Sequence, residues 1–166
     1  MKKIIHLTVF LAIISALAGG VLGFVNQITA PIIAEKKIAA VKASLQEIFP
    51  SATEFAEITI EENDVVVNAY EATGVGYAFN VSIQGYKDVI EFIIGFDLNG
   101  KIAGLKMNYV NDTPGLGTKV GEPEFINSIV NKSVDDKLDT ISGATISSKA
   151  VIEGINAAIA VFESLK

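Results

Sequence analysis

The sequence predicts an α+β fold: an N-terminal transmembrane helix followed by an antiparallel sheet with flanking helices. Three observations support this. Residues 4–25 are an apolar run without a single charge. Residues 56–110 break into short strand-like runs separated by turn signals. Residues 147–165 are rich in Ala, Ile and Val at helical spacing. A sheet with helices towards the ends of the chain is the α+β arrangement.

The first segment, residues 1–34, reads as a transmembrane anchor. As a helix, residues 4–25 would span ~33 Å, the thickness of a bilayer's hydrocarbon core. Lys2 and Lys3 precede the run, and no further charged residue appears before Glu35. Lysines at that end favour a cytoplasmic N-terminus and an exported body. Gly19 and Gly23, four residues apart, give a small-residue face on which another helix can approach closely, or simply face lipid. Ala16-Leu17-Ala18 also offers a signal-peptidase-like site. Apolar sequence continuing to Ile33 goes beyond what a signal peptide needs, so the anchor reading is preferred.

Pro31 is expected to interrupt the helical run. Residues 35–50 then read as an amphipathic connecting helix, with Ile38, Val41, Leu45 and Ile48 on one face and Pro50 as its stop. In the body, residues 51–166, the strand candidates are 57–60, 65–72, 76–83, 88–96 and 101–110. Asp97-Leu98-Asn99-Gly100 lies between two apolar runs, so the last two strands should form an antiparallel hairpin. Tyr77, Phe79, Val81 and Ile83 alternate and define one apolar face. A loop over 111–121, a short helix over 124–130, a strand or extended stretch over 134–140 and a final helix over 147–165 complete the body.

Composition narrows the chemistry. The 166 residues contain no Cys, no Arg, no Trp and one His, His6, inside the apolar run. Thiolate metal sites, iron–sulfur ligation and a Ser-His-Asp site in the body are therefore excluded. From Glu35 onward, 11 lysines face 19 acids, which makes nucleic acid an unfavourable partner. No cluster of acids and bases suited to substrate turnover stands out, so function must rest on hydroxyls, carboxylates, backbone groups or a cofactor.

Two loops carry the chemical signal. The first is Asp139-Thr140-Ile141-Ser142-Gly143-Ala144-Thr145, followed by Ile146-Ser147-Ser148 and the last helix. A small-residue turn feeding a helix N-terminus suits a phosphate, because the first amides lack partners and sit at the positive end of the dipole. The simpler reading of the same hydroxyls is an N-cap. Lys149 would either offset an anion's charge or stay solvated. The second loop is Asn111-Asp112-Thr113-Pro114-Gly115-Leu116-Gly117-Thr118. Pro-Gly marks a type II turn. Leu116, between glycines, either tucks into the core or presents an apolar surface to a flat ligand.

Together these loops resemble the FMN-binding domain found in the G subunit of the Rnf (Rsx) ferredoxin–NAD oxidoreductase complex and in the C subunit of the sodium-translocating NADH–quinone reductase. Ser142-Gly143-Ala144-Thr145 matches that family's Ser/Thr-Gly-Ala-Thr motif, and Thr113 to Gly117 match its Thr-Pro-Gly-Leu-Gly loop. Gly76-Tyr77, Gly85-Tyr86 and the turn at 97–100 are similar too. Where the family loop carries Glu, this chain has Asp112. Its length suits the Rnf protein better than the larger Nqr counterpart.

The resemblance implies that residues 51–166 are an extracytoplasmic FMN-binding domain. It implies FMN joined by a phosphoester to Thr145, installed by a separate flavin transferase that reads Asp139, Ser142, Gly143 and Ala144. Thr113, Pro114, Gly115, Leu116, Gly117 and Thr118 would line the ring or ribityl chain, with Ser147 and Ser148 near the phosphate. The implied function is single-electron relay between a membrane iron–sulfur centre and the flavin of the D subunit, with the A, D and E subunits as partners. Ion movement falls to other subunits, because residues 4–34 hold no carboxylate. The alternatives are a stand-alone exported flavoprotein, an Nqr-type C subunit, and a non-redox domain whose motif is only a cap.

Overall fold

A computed structural model describes residues 2–61 and 63–165, with only the backbone at residues 34 and 37. The chain divides between Val41 and Lys42 into two compact units.

The described residues of the first unit are helical and belong to α1, Lys2–Ile48. It is long and apolar enough to cross a membrane. Pro31 lies inside this helix, so the two helical segments expected on either side of it run as one. A proline removes one N–H and crowds one carbonyl. The turns on both sides keep their own bonds, and apolar helices tolerate such a gap. Ile38, expected on a core-facing stripe, is exposed.

The second unit contains the end of α1, a five-stranded sheet and two further helices. The strands are β1 (Phe55–Ile58), β2 (Val66–Ala72), β3 (Gly76–Gln84), β4 (Val89–Asp97) and β5 (Ile102–Val110). They pair antiparallel in simple sequence order, β1-β2-β3-β4-β5. A 3-10 helix, Gly117–Gly121, leads to α2 (Pro123–Ile129), and α3 (Thr145–Ser164) closes the chain.

The expected hairpin is β4–β5. Asp97 N–H donates to the Lys101 carbonyl at 2.8 Å, and the Asp97 carboxylate accepts from the amides of Asn99 and Lys101, both at 2.8 Å. Gly100 has φ 82°, a left-handed conformation that favours glycine. Residues 134–140 form no strand ladder. One bridge, Lys101↔Ser133, joins this region to the sheet. The Asp136 carboxylate then accepts the Ser133 amide at 2.8 Å and turns the chain away.

One face of the sheet carries the main core. Phe79, Val81, Ile90, Phe92, Ile94 and Phe96 pack under Val151, Ile155, Ala158 and Phe162 of α3, and all are buried. The Phe96 and Phe162 rings stack at 5.1 Å, and Phe79 meets Phe162 edge-on at 6.5 Å. Fully burying each such ring stabilises the fold by roughly 1.5–3 kcal/mol. The helix comes close because Gly154 has no side chain: a Cβ there would lie 2.9 Å from both Phe92 Cζ and Val81 Cγ1.

The opposite face takes the end of α1. Gly95 alternates with Ile94 and Phe96, so it faces away from α3. A Cβ at Gly95 would meet Ile48 at 2.5 Å and Phe49 at 2.8 Å. Ser44 donates to Asn108 at 3.2 Å, and Lys106 pairs with Glu47 at 2.8 Å, which fixes this end on β5.

Gly154→Ala tests the packing. Alanine favours an isolated helix by about 1 kcal/mol, but the added methyl collides with Phe92 and Val81. Overpacking should win, with a net loss of about 1–3 kcal/mol. Denaturant unfolding of the detergent-solubilised protein, followed by far-ultraviolet circular dichroism, reads this out. A gain in stability would mean that α3 sits farther from the sheet.

Candidate functional site

Three segments meet at one end of the sheet: the β3–β4 turn at 85–88, the loop leaving β5 at 111–116, and the start of α3. The first turn is closed by Gly85 N–H donating to the Asp88 carbonyl at 2.9 Å. The Asp88 carboxylate then pins it to the second segment, accepting from Asn111 Nδ2 and the Tyr109 hydroxyl, both at 3.0 Å. The bond from Asn111, then those from the Val89 amide and Tyr109, hold the Asp88 carboxyl below its ordinary range.

The other two segments each contain a glycine turn of the same kind. Leu116 N–H donates to the Thr113 carbonyl at 3.1 Å across Pro114-Gly115, with Gly115 at φ 73°. Ala144 N–H donates to the Ile141 carbonyl at 3.0 Å across Ser142-Gly143, with Gly143 at φ 82°. Proline followed by a left-handed glycine is the type II geometry expected at 113–116. The turns touch: a Cβ on Gly143 would lie 3.9 Å from Leu116 Cδ2.

The α3 terminus departs from the capping reading. Its N-cap is Ala144, and no side chain caps it. Thr145 is the first helical residue and is exposed. Among the described residues, its hydroxyl has no hydrogen-bond partner. The neighbouring hydroxyls are engaged inside. Ser148 Oγ accepts the Ile141 amide at 3.0 Å and donates to the Ala144 carbonyl at 2.9 Å. Ser147 Oγ donates to Asp112 Oδ2 at 2.7 Å.

Asp112 is 2% exposed and ties the three segments together. Its Oδ2 also accepts the Tyr86 amide at 3.0 Å, and its Oδ1 accepts the amides of Lys87 at 3.1 Å and Thr113 at 2.8 Å. Burial pushes its pKa up. The bonds from Ser147 and the amides of Tyr86, Thr113 and Lys87 outweigh burial and hold the carboxyl below its usual range. There is no spare room around it. A Cβ on Gly117 would come within 2.6 Å of Asp112 Cγ, and one on Gly85 within 2.9 Å of Asp112 Oδ2.

These segments enclose an open cleft of ≈ 440 Å³ lined by Tyr86, Thr113, Leu116, Gly117, Gly143, Ala144, Thr145, Ile146 and Ser147. That size suits a small-molecule site. Tyr86, Leu116 and Ile146 are 65%, 48% and 58% exposed. Large apolar side chains exposed side by side mark a ligand surface. Leu116 therefore faces the cleft and not the core.

Seven of the sequence-derived candidates line the cleft: Thr113, Leu116, Gly117, Gly143, Ala144, Thr145 and Ser147. Pro114, Gly115, Thr118, Ser142, Ser148 and Asp139 do not. Gly115 shapes the turn, and Thr118 Oγ1 accepts its amide at 3.0 Å. Asp139 lies exposed on the surface. Lys149 is an exposed partner of Glu153 at 3.6 Å. Tyr86 and Ile146 are cleft residues that the motif reading passed over. The Gly85-Tyr86 pair was the available signal for the first.

The Asp112 geometry fixes the sign of an acid dependence. A carboxyl of lowered pKa stabilises the fold fully above its unfolded value, about 3.9. That contribution is lost as the pH falls through the folded value. Asp112→Asn leaves donors unpaired, which should cost about 1–3 kcal/mol at pH 7 and flatten the acid limb below about pH 4. Urea midpoints taken from pH 7 down to 3 measure both effects. An unchanged acid limb would assign the sensitivity to another group.

Comparison with known proteins agrees with this geometry. The FMN-binding domain family matches residues 85–160, which contain all three segments of the cleft. The family described as RnfG N-terminal region matches residues 1–48. The G subunit of the Na⁺-translocating ferredoxin:NAD⁺ oxidoreductase complex of Acetobacterium woodii is 28% identical, covering 99% of this chain and 94% of its own. The G subunit of the ion-translocating oxidoreductase complex of Methanosarcina acetivorans is 30% identical, covering 95% of this chain and 94% of its own. The G subunit of the proton-translocating ferredoxin:NAD⁺ oxidoreductase complex of Clostridium ljungdahlii is 26% identical, covering 95% of this chain and 91% of its own. On identity and on coverage of both chains, this protein belongs to the RnfG family, the G subunits of ion-translocating oxidoreductase complexes, and carries that family's FMN-binding domain.

Proposed function

We propose that this chain carries FMN as a phosphoester on Thr145 and relays electrons within a membrane-bound Rnf-type complex. The observation that supports this most directly is the Thr145 side chain. It stands exposed at the mouth of the cleft with an unengaged hydroxyl, while Ser147 and Ser148 beside it are buried and bonded.

The residues present fit FMN. Thr145 offers the attachment oxygen, and the first-turn amides of α3 lack carbonyl partners within the helix. Gly143 and Ala144 add little bulk, so a ligand can approach the backbone there closely. Tyr86, Leu116 and Ile146 supply the apolar surface that a flat ring needs. Bound flavin supplies the redox chemistry, one or two electrons at a time. The chain itself places the ring and holds its phosphate. A threonine hydroxyl is a weak nucleophile without a base, so attachment falls to a separate flavin transferase.

In this reading the apolar part of α1 anchors the chain with its N-terminus in the cytoplasm, as Lys2 and Lys3 favour. The body lies outside the membrane. It exchanges electrons with a membrane iron–sulfur centre and with the D subunit, with the A and E subunits as further neighbours. Covalent attachment keeps the cofactor in place where free FMN is scarce.

Thr145→Ala, produced with the transferase, should lose all flavin fluorescence on a denaturing gel. A fluorescent band of equal strength would overturn the attachment. Leu116→Ala should keep the band but shift the flavin's midpoint potential. An identical potential and visible spectrum would show that Leu116 does not contact the ring.

A further inference from the structure

We infer that Asp112 is the positioning residue of the flavin site: one buried carboxylate sets the spacing between the cleft's ring-facing loops and the helix end that bears Thr145. The inference rests on the attachment proposed above and adds a residue to it.

Tyr86, Thr113 and Ser147 each line the cleft, and Lys87 adjoins Tyr86. They come from three segments far apart in the chain, and each segment presents a different part of the cleft wall. Thr113 opens the glycine turn that carries Leu116. Tyr86 is itself a wall residue, held by its backbone so that its ring is left exposed. Ser147 lies two residues after Thr145 in the first turn of α3. Fixing the Ser147 hydroxyl therefore fixes the rotation of the turn from which Thr145 projects.

The carboxylate engages α3 through a side-chain hydroxyl and not through its first amides, so those amides stay available to a phosphate. Gly85 and Gly117 both lie against the carboxylate, so a side chain at either position would crowd it.

The test uses the full-length protein in detergent, produced with the flavin transferase. Asp112→Asn removes the acceptor pair at one oxygen. Ser147→Ala removes only the link to α3 and carries the test if the first variant fails to fold. Ile155→Val, in the core away from the cleft, controls for general loss of stability. Both cleft variants should keep gel-fluorescent flavin, lose about half or more of the flavin's visible-region circular dichroism and shift its midpoint potential. Ile155→Val should keep both signals.

If Ser147→Ala and every folded form of Asp112→Asn show wild-type ellipticity and potential, the inference is overturned. It is equally overturned if Ile155→Val loses the signals to the same degree. Wild-type protein without gel-fluorescent flavin overturns the attachment at Thr145, and the inference with it.

Discussion

A charge removed from water must be surrounded by donors, or the fold that buries it is heavily destabilised. At Asp112 this requirement organises one end of the molecule. Its two oxygens take four hydrogen bonds from a β-turn, a glycine loop and a helix start. None of the three segments is held by the central core alone. A side chain at Gly117 would enter the carboxylate's space, and one at Gly85 would meet the Asp88 carbonyl as well as the carboxylate. Two loops that read separately as small-residue turns thereby become opposite walls of one cleft.

The rest of the body makes that end rigid. The five strands follow each other in order, so the sheet forms from hairpins between neighbours in sequence. Helix α3 lies across the sheet, with Phe162 against Phe79 and Phe96 and the Gly154 backbone close to Val81 and Phe92. Its first turn is therefore placed by the packing of its later turns. Residues 44–49 occupy the other face, where Gly95 and Gly104 leave room for Ile48. A cofactor site needs this kind of support, because a wall that shifts by an ångström no longer meets the ring or the phosphate as required.

Much of this was legible in the residues. Alternating apolar residues and the Asp-Leu-Asn-Gly turn located β3, β4 and β5 to within one or two positions. The glycine turns were readable because proline and left-handed glycine restrict the backbone locally. The meeting of the loops was not readable from local pattern. Thr113 and Thr145 are far apart in sequence, and only the family resemblance joined them. Asp112 stood out in the sequence only as a departure from the family's Glu, because its donors lie up to 35 positions away. Ile146 does not stand out as a site residue in the sequence, and Tyr86 does so only through the Gly85-Tyr86 pair, since an exposed apolar side chain acquires meaning only once its neighbours are placed. Proximity in sequence suggests a charge role for Lys149, yet on the helix its near partner is Glu153.

The uncapped start of α3 has a consequence of its own. A helix whose N-cap is alanine forgoes roughly 1 kcal/mol compared with a hydroxyl or carboxylate cap. Within that first turn the division is sharp: Ser147 and Ser148 are buried and bonded, whereas Thr145 and Ile146 are exposed. Thr145 and Ile146 therefore project from a turn that is anchored by the two serines that follow them. Under the attachment proposed here, the threonine is within reach on a domain that is already folded, and modification need not precede folding.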